Sequence, residues 1–129
     1  MKFTDNELKL SRRLHDALLK RGEPMEIREG DWVLFPQNTI YCVKLAEEFL
    51  DDKPLLKREK VILLPSWERL REWLRETSWT IMDFDDEPHF GPGIKLNFIN
   101  LETGKELFAR GATDLEAILS VCVAVAEEE

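Results

Sequence analysis

Cysteine is scarce in this chain, and the two it has, Cys42 and Cys122, form no CxxC pair. Each lies inside an apolar run, the setting of a small buried hydrophobe rather than a redox thiol or metal ligand. No stretch approaches the roughly 18 apolar residues that a membrane-spanning helix needs, so no membrane partner is expected. The opening Met1-Lys2-Phe3-Thr4-Asp5 runs directly into charged residues, which reads as no signal peptide and makes the cytoplasm the expected compartment. A G-x-S-x-G nucleophile elbow is missing. Gly91-Pro92-Gly93 precedes a strand pattern, whereas a phosphate cradle requires a helix N-terminus after its glycines. The two histidines, His15 and His89, fall in separate elements. Neither a cofactor nor a catalytic residue is indicated, and the chain is expected not to be an enzyme.

What is present is the composition of one folded domain. The 129 residues are 43% hydrophobic and 34% charged, with four Trp and seven Phe to fill a core. One domain over 1–129 is the expectation, with a helix and β-rich part at 1–64 and a helix, meander and helix at 65–129. The net charge of −8 is uneven: residues 1–22 carry six Lys or Arg against three acids, or +3, which leaves −11 on the remainder. A surface of that sign repels phosphate backbones, so nucleic acid is not expected as a partner.

Local patterns give the elements. Thr4-Asp5-Asn6-Glu7 is a capping box, and Leu10, Leu14, Ala17 and Leu18 share one face of a helix over 5–21 that Gly22 stops. Asp31–Phe35 and Thr39–Leu45 read as a hairpin around Pro36-Gln37-Asn38, and Lys60–Leu64 as a short strand ended by Pro65. Ser66 caps a second helix with Trp67, Leu70, Trp73 and Leu74 on its apolar stripe. Strands follow at Trp79–Phe84, Ile94–Leu101 and Lys105–Arg110, the last two joined by the turn Glu102-Thr103-Gly104. A second capping box, Thr113-Asp114-Leu115-Glu116, opens a final helix whose Leu115, Ile118, Leu119, Val121, Cys122, Val123 and Val125 predict packing on more than one side. Its end, Glu127-Glu128-Glu129, puts acids at the unfavourable pole of the helix and should fray. The fold class is therefore α+β: a mainly antiparallel sheet flanked by helices, in the order α-β-β-(β)-α-β-β-β-α.

Pro65-Ser66 with Leu70 and Leu74, and Thr113 with Glu116-Ala117-Ile118, follow the patterns P-S-x-x-x-L-x-x-x-L and T-x-x-E-A-(I/L). On those residues the second half resembles the phage ABA sandwich domain. The front half, with Glu7–Leu14 and Glu29-Gly30-Asp31-Trp32-Val33, is similar to small uncharacterised prophage proteins of Gram-positive bacteria. The resemblance implies a phage origin, a helix–sheet–helix arrangement and an accessory role, and it brings no catalytic residue.

Three groups of residues are candidate sites. Asp83, Asp85, Asp86 and His89 are the metal candidates, because hard oxygen ligands suit Mg²⁺, Mn²⁺ or Ca²⁺. The cluster fails as a calcium loop: Pro88 stands at the sixth position where glycine is needed, and Ile94 at the twelfth where glutamate is needed. Lys9, Arg12, Arg13, Lys20 and Arg21 make the first helix basic, with Arg13 and Lys20 as interface candidates. Trp73 cannot face the same way as its neighbour Leu74 and is a third, able to anchor a homodimer. Trp32, Trp67 and Trp79 are expected in the core. The favoured reading is a non-enzymatic, protein-binding accessory protein of phage or prophage origin that occupies a host or phage protein. The alternative is a small metal-dependent hydrolase or nuclease that uses the acidic loop 83–89.

Overall fold

The structure, a computed structural model, describes residues 3–35, 39–43, 61–85 and 93–128. It contains α1 (Asp5–Lys20), β1 (Trp32–Leu34), β2 (Ile40–Cys42), β3 (Ile62–Leu64), α2 (Trp67–Glu76), β4 (Trp79–Asp85), β5 (Ile94–Asn100), β6 (Glu106–Gly111) and α3 (Asp114–Glu127). The order and the α+β class are those the sequence predicts. Among the described residues of 25–64, β1, β2 and β3 do not add to the β4–β6 meander. These three strands form a sheet of their own, and every described strand pairing in both sheets is antiparallel. The chain divides into two compact units, one of residues 11–65 and one of residues 1–10 with 66–129.

In the unit of residues 11–65 the strand order is β2-β1-β3. Val33 of β1 and Leu63 of β3 join Ile27, Val43 and Val61, which lie beside the strands, in a small core flanked by Met25, Phe35 and Tyr41. Backbone bonds from Gly30 N–H to the Val43 carbonyl and from Val43 N–H to that of Asp31, both 2.8 Å, extend the hairpin beyond its strands. Leu14, Ala17 and Leu18 of α1 are buried, as the periodicity requires. After Lys20 the chain turns off through Gly22, with the Glu23 N–H reaching back to the Leu18 carbonyl at 2.9 Å.

Two tryptophans and one cysteine depart from expectation. Trp32 and Cys42 are half-buried, not core. They are register partners in the last row of the three-residue β1–β2 ladder. Trp67 is half-buried as well, because it is the first residue of α2, where the Arg71 guanidinium lies 5.4 Å over its ring. Of the four tryptophans, Trp79 alone is in the core.

The other unit has two layers. Leu96 and Phe98 of β5 and Trp79 of β4 point to one face of the β4-β5-β6 sheet and are buried there. α3 packs along β6 and β5, α2 packs on β4, and the two helices pack on each other. Ten of the fourteen residues of α3 are buried, which accounts for its nearly uninterrupted apolar sequence. The acidic end expected to fray is helical through Glu127, and Lys105 ion-pairs with Glu128, so a cation meets the helix's negative pole.

The first predicted capping box forms in full, the second through its Thr113 hydroxyl, and the two caps interlock. The Thr4 hydroxyl accepts from the Glu7 N–H (3.0 Å), and Glu7 Oε1 accepts in return from the Thr4 N–H (2.7 Å). The Thr113 hydroxyl accepts from the Glu116 N–H (3.1 Å) and donates to Glu7 Oε2 (2.8 Å). Glu116 Oε1 takes a hydrogen bond from the Asn6 side chain. Glu7 and Glu116 are thereby buried with partners at two helix N-termini, where negative charge is favoured.

Candidate functional site

The acidic candidates do not gather. Asp83 is exposed on β4, opposite Asn97 in register, and Asp85 stands opposite Lys95. Asp86 and His89 lie outside the described residues, as does most of the acidic loop. Among the described residues no group of three His, Cys, Asp or Glu is placed to hold a metal ion.

The thiols and His15 are likewise separate. Burial pushes the Cys122 thiol well above its ordinary range, which removes it as a nucleophile at neutral pH. Its Sγ lies 4.0 Å from the Leu70 carbonyl. His15 lines a small hollow with Ser11, Leu14, Leu18, Pro24, Met25, Leu63 and Pro65. The Nε2 atom is buried and has no hydrogen-bond partner among the described residues. Desolvation lowers the pKa of this imidazole from 6.5, against a smaller opposing pull from Asp16. The folded state therefore binds fewer protons here than the unfolded chain. Stability from this group is complete above pH 6.5 and falls as pH drops from 6.5 through the depressed folded value. His15→Phe removes that dependence, so its melting temperature should gain on the wild type as pH is lowered from neutral into the mildly acid range. A constant difference between the two proteins across that range would show that His15 is not desolvated.

The interface candidates on α1, Arg13 and Lys20, are exposed. Trp73 is half-buried, since Leu70 and Leu74 take the covered face of α2.

The outer face of the meander displays two large apolar side chains together. Phe108 is 68% exposed and Met82 55%. Alternation with the inward Trp79 and Ile81 puts Met82 on this face, and a bulge between Ile81 and Asp83 turns Asp83 to the same face, opposite Asn97. Phe108 is opposite Asn97 from the other side, and the Lys95 ammonium lies 5.3 Å over its ring. Thr80, Ile99, Glu106 and Arg110 complete the face. No family model, curated protein or solved structure matches this chain. The function must therefore be read from this surface and its chemistry.

Phe108 and Met82 were not among the sequence candidates, yet one signal for Phe108 is present. In Glu106-Leu107-Phe108-Ala109-Arg110 the two charges sit at alternate positions, and strand alternation puts Phe108 on their face. Met82 follows from the same alternation with Trp79 and Ile81, whereas the bulge that turns Asp83 to this face has no such signal.

Proposed function

We propose that this chain is a non-enzymatic protein-binding module whose partner docks on the outer face of the β4–β6 meander. The observation that supports this is the display of Phe108 and Met82, at 68% and 55% exposure, on a sheet whose other face is buried under helices. An aromatic and a methionine set among charged groups have the composition of an interface centre with a polar rim. Lys95, Asp83, Glu106 and Arg110 supply that rim with both signs of charge. The resemblance to phage and prophage proteins adds an accessory role and a host or phage protein as the partner.

The test is capture from nuclease-treated bacterial lysate by the tagged protein and two variants, with bound proteins identified by mass spectrometry. A partner held by the wild type and by R13E/K20E but lost from M82S/F108S is the expected result. A partner retained by M82S/F108S would overturn the assignment of the face, and loss from R13E/K20E would move the site to α1.

A further inference from the structure

β6 is an edge of the meander, and its hydrogen-bonding pattern is fixed by the turn before it. The Asn100 N–H bonds to the Lys105 carbonyl at 2.8 Å, which makes residues 100 and 105 a hydrogen-bonded pair. Counting along the register, Leu107, Ala109 and Gly111 then bond inward to Phe98, Leu96 and Ile94. The N–H and C=O groups of Glu106, Phe108 and Arg110 consequently point outward along the edge. The side chains of those same three residues are exposed.

We propose that this edge pairs with the same edge of a second copy, joining two meanders into one six-stranded antiparallel sheet. The segment Glu106-Leu107-Phe108-Ala109-Arg110 is self-complementary about its centre. An antiparallel pairing with the two-fold axis at Phe108 sets Glu106 of each copy opposite Arg110 of the other, and Phe108 opposite Phe108. Glu106, Phe108 and Arg110 all have the parity that presents backbone groups outward, so about six hydrogen bonds close between the copies. On the exposed face two opposite-charge pairs flank an aromatic pair, both favourable cross-strand combinations. Leu107 of one copy meets Ala109 of the other on the covered side. Shifting the pairing by two residues would break this match and set Phe108 against a charge.

The opposite edge is built differently. β4 carries the bulge at Met82 and acids at 83 and 85, which are devices that keep an edge from pairing. β6 has an unbroken register over all six residues. Arg110 also has an interaction within its own chain, and the guanidinium's five donors leave capacity for the second carboxylate.

Glu106, Phe108 and Arg110 also belong to the proposed docking face, but the test of the dimer uses purified protein alone. Sedimentation velocity from low to high micromolar concentration should show a monomer–dimer equilibrium. E106R turns two attractive cross-strand pairs into two repulsive ones and should weaken the dimer roughly tenfold or more, and R110E should do the same. The charge swap E106R/R110E restores the pairs with their signs exchanged and should recover the dimer. Circular dichroism of each variant confirms that the fold is retained. A wild type that stays monomeric throughout, or a swap that fails to recover what the single variants lose, overturns the proposal. The dimer test involves no partner protein and the capture test uses neither E106R nor R110E, so either reading can fail without the other.

Discussion

Gly111→Ala is expected to lower the melting temperature by about 10 °C, corresponding to a loss of roughly 3 kcal/mol. Gly111 ends β6 at the corner where the chain turns into α3. A Cβ placed there would lie 2.5 Å from the Ala117 backbone nitrogen, 2.8 Å from the Glu116 Cβ and 2.9 Å from the Glu116 carbonyl carbon. Two of the three are backbone atoms of the first turn of α3, which cannot rotate away as a flexible side chain could. The same corner is crowded from the other strand, since a Cβ on Gly93 would lie 2.6 Å from the Gly111 carbonyl oxygen. Accommodating the added methyl group therefore means lifting α3 from the sheet, which loosens the packing over Leu96 and Phe98.

Gly104 is the control. It closes the β5–β6 hairpin with φ of 74°, and nothing lies within 4 Å of where its Cβ would be. Gly104→Asn keeps a residue that tolerates positive φ and should cost about 1 kcal/mol or less. Gly111→Asn should cost at least as much as Gly111→Ala. Thermal unfolding of these variants beside the wild type separates a glycine needed for its conformation from one needed for its size. Comparable losses at both positions would mean that the corner is not tightly packed.

The two glycines also mark what is legible in the sequence. Glu102-Thr103-Gly104 between two alternating runs announces its turn, because the requirement is local. Gly111 does not announce its role, because the atoms it must clear belong to a helix that approaches only after folding. The same division holds elsewhere. Ser66, Thr4 and Thr113 are readable as caps, since a cap satisfies donors within three residues. Trp32 and Trp67 are misread as core because their burial depends on the end of a short ladder and the end of a helix, not on residue type. At the candidate face, the charges at 106 and 110 fix the direction of Phe108 and alternation with Ile81 fixes that of Met82, but the bulge that turns Asp83 to the same face has no sequence mark. The self-complementary edge needed the strand order, since only an outermost β6 has outward groups to offer.

Thr113→Val is expected to cost about 3 kcal/mol, far more than an isosteric change at a half-buried helix cap usually does. One hydroxyl serves two helices. It caps α3 by accepting the Glu116 N–H, and it donates to Glu7 Oε2 in the first turn of α1, 106 residues away in sequence. Losing the cap costs about 1 kcal/mol. Losing the donor leaves a carboxylate that is 5% exposed short of one charge-assisted hydrogen bond, roughly a further 2 kcal/mol. Thr113→Ser retains both bonds and should lose under about 1 kcal/mol, mainly from the deleted methyl group. Glu7→Gln alone weakens the bond from the Thr113 hydroxyl without removing the acceptor. The coupling between Thr113→Val and Glu7→Gln in a double-mutant cycle should be about 1 kcal/mol, because both variants act on one bond. Urea unfolding of the wild type, the two single variants and the double variant measures it. Additive losses would mean that the two caps act independently and that the first turn of α1 is not held to α3 through Thr113. A measured coupling would show that two local signals, each readable in four residues, combine into one long-range contact.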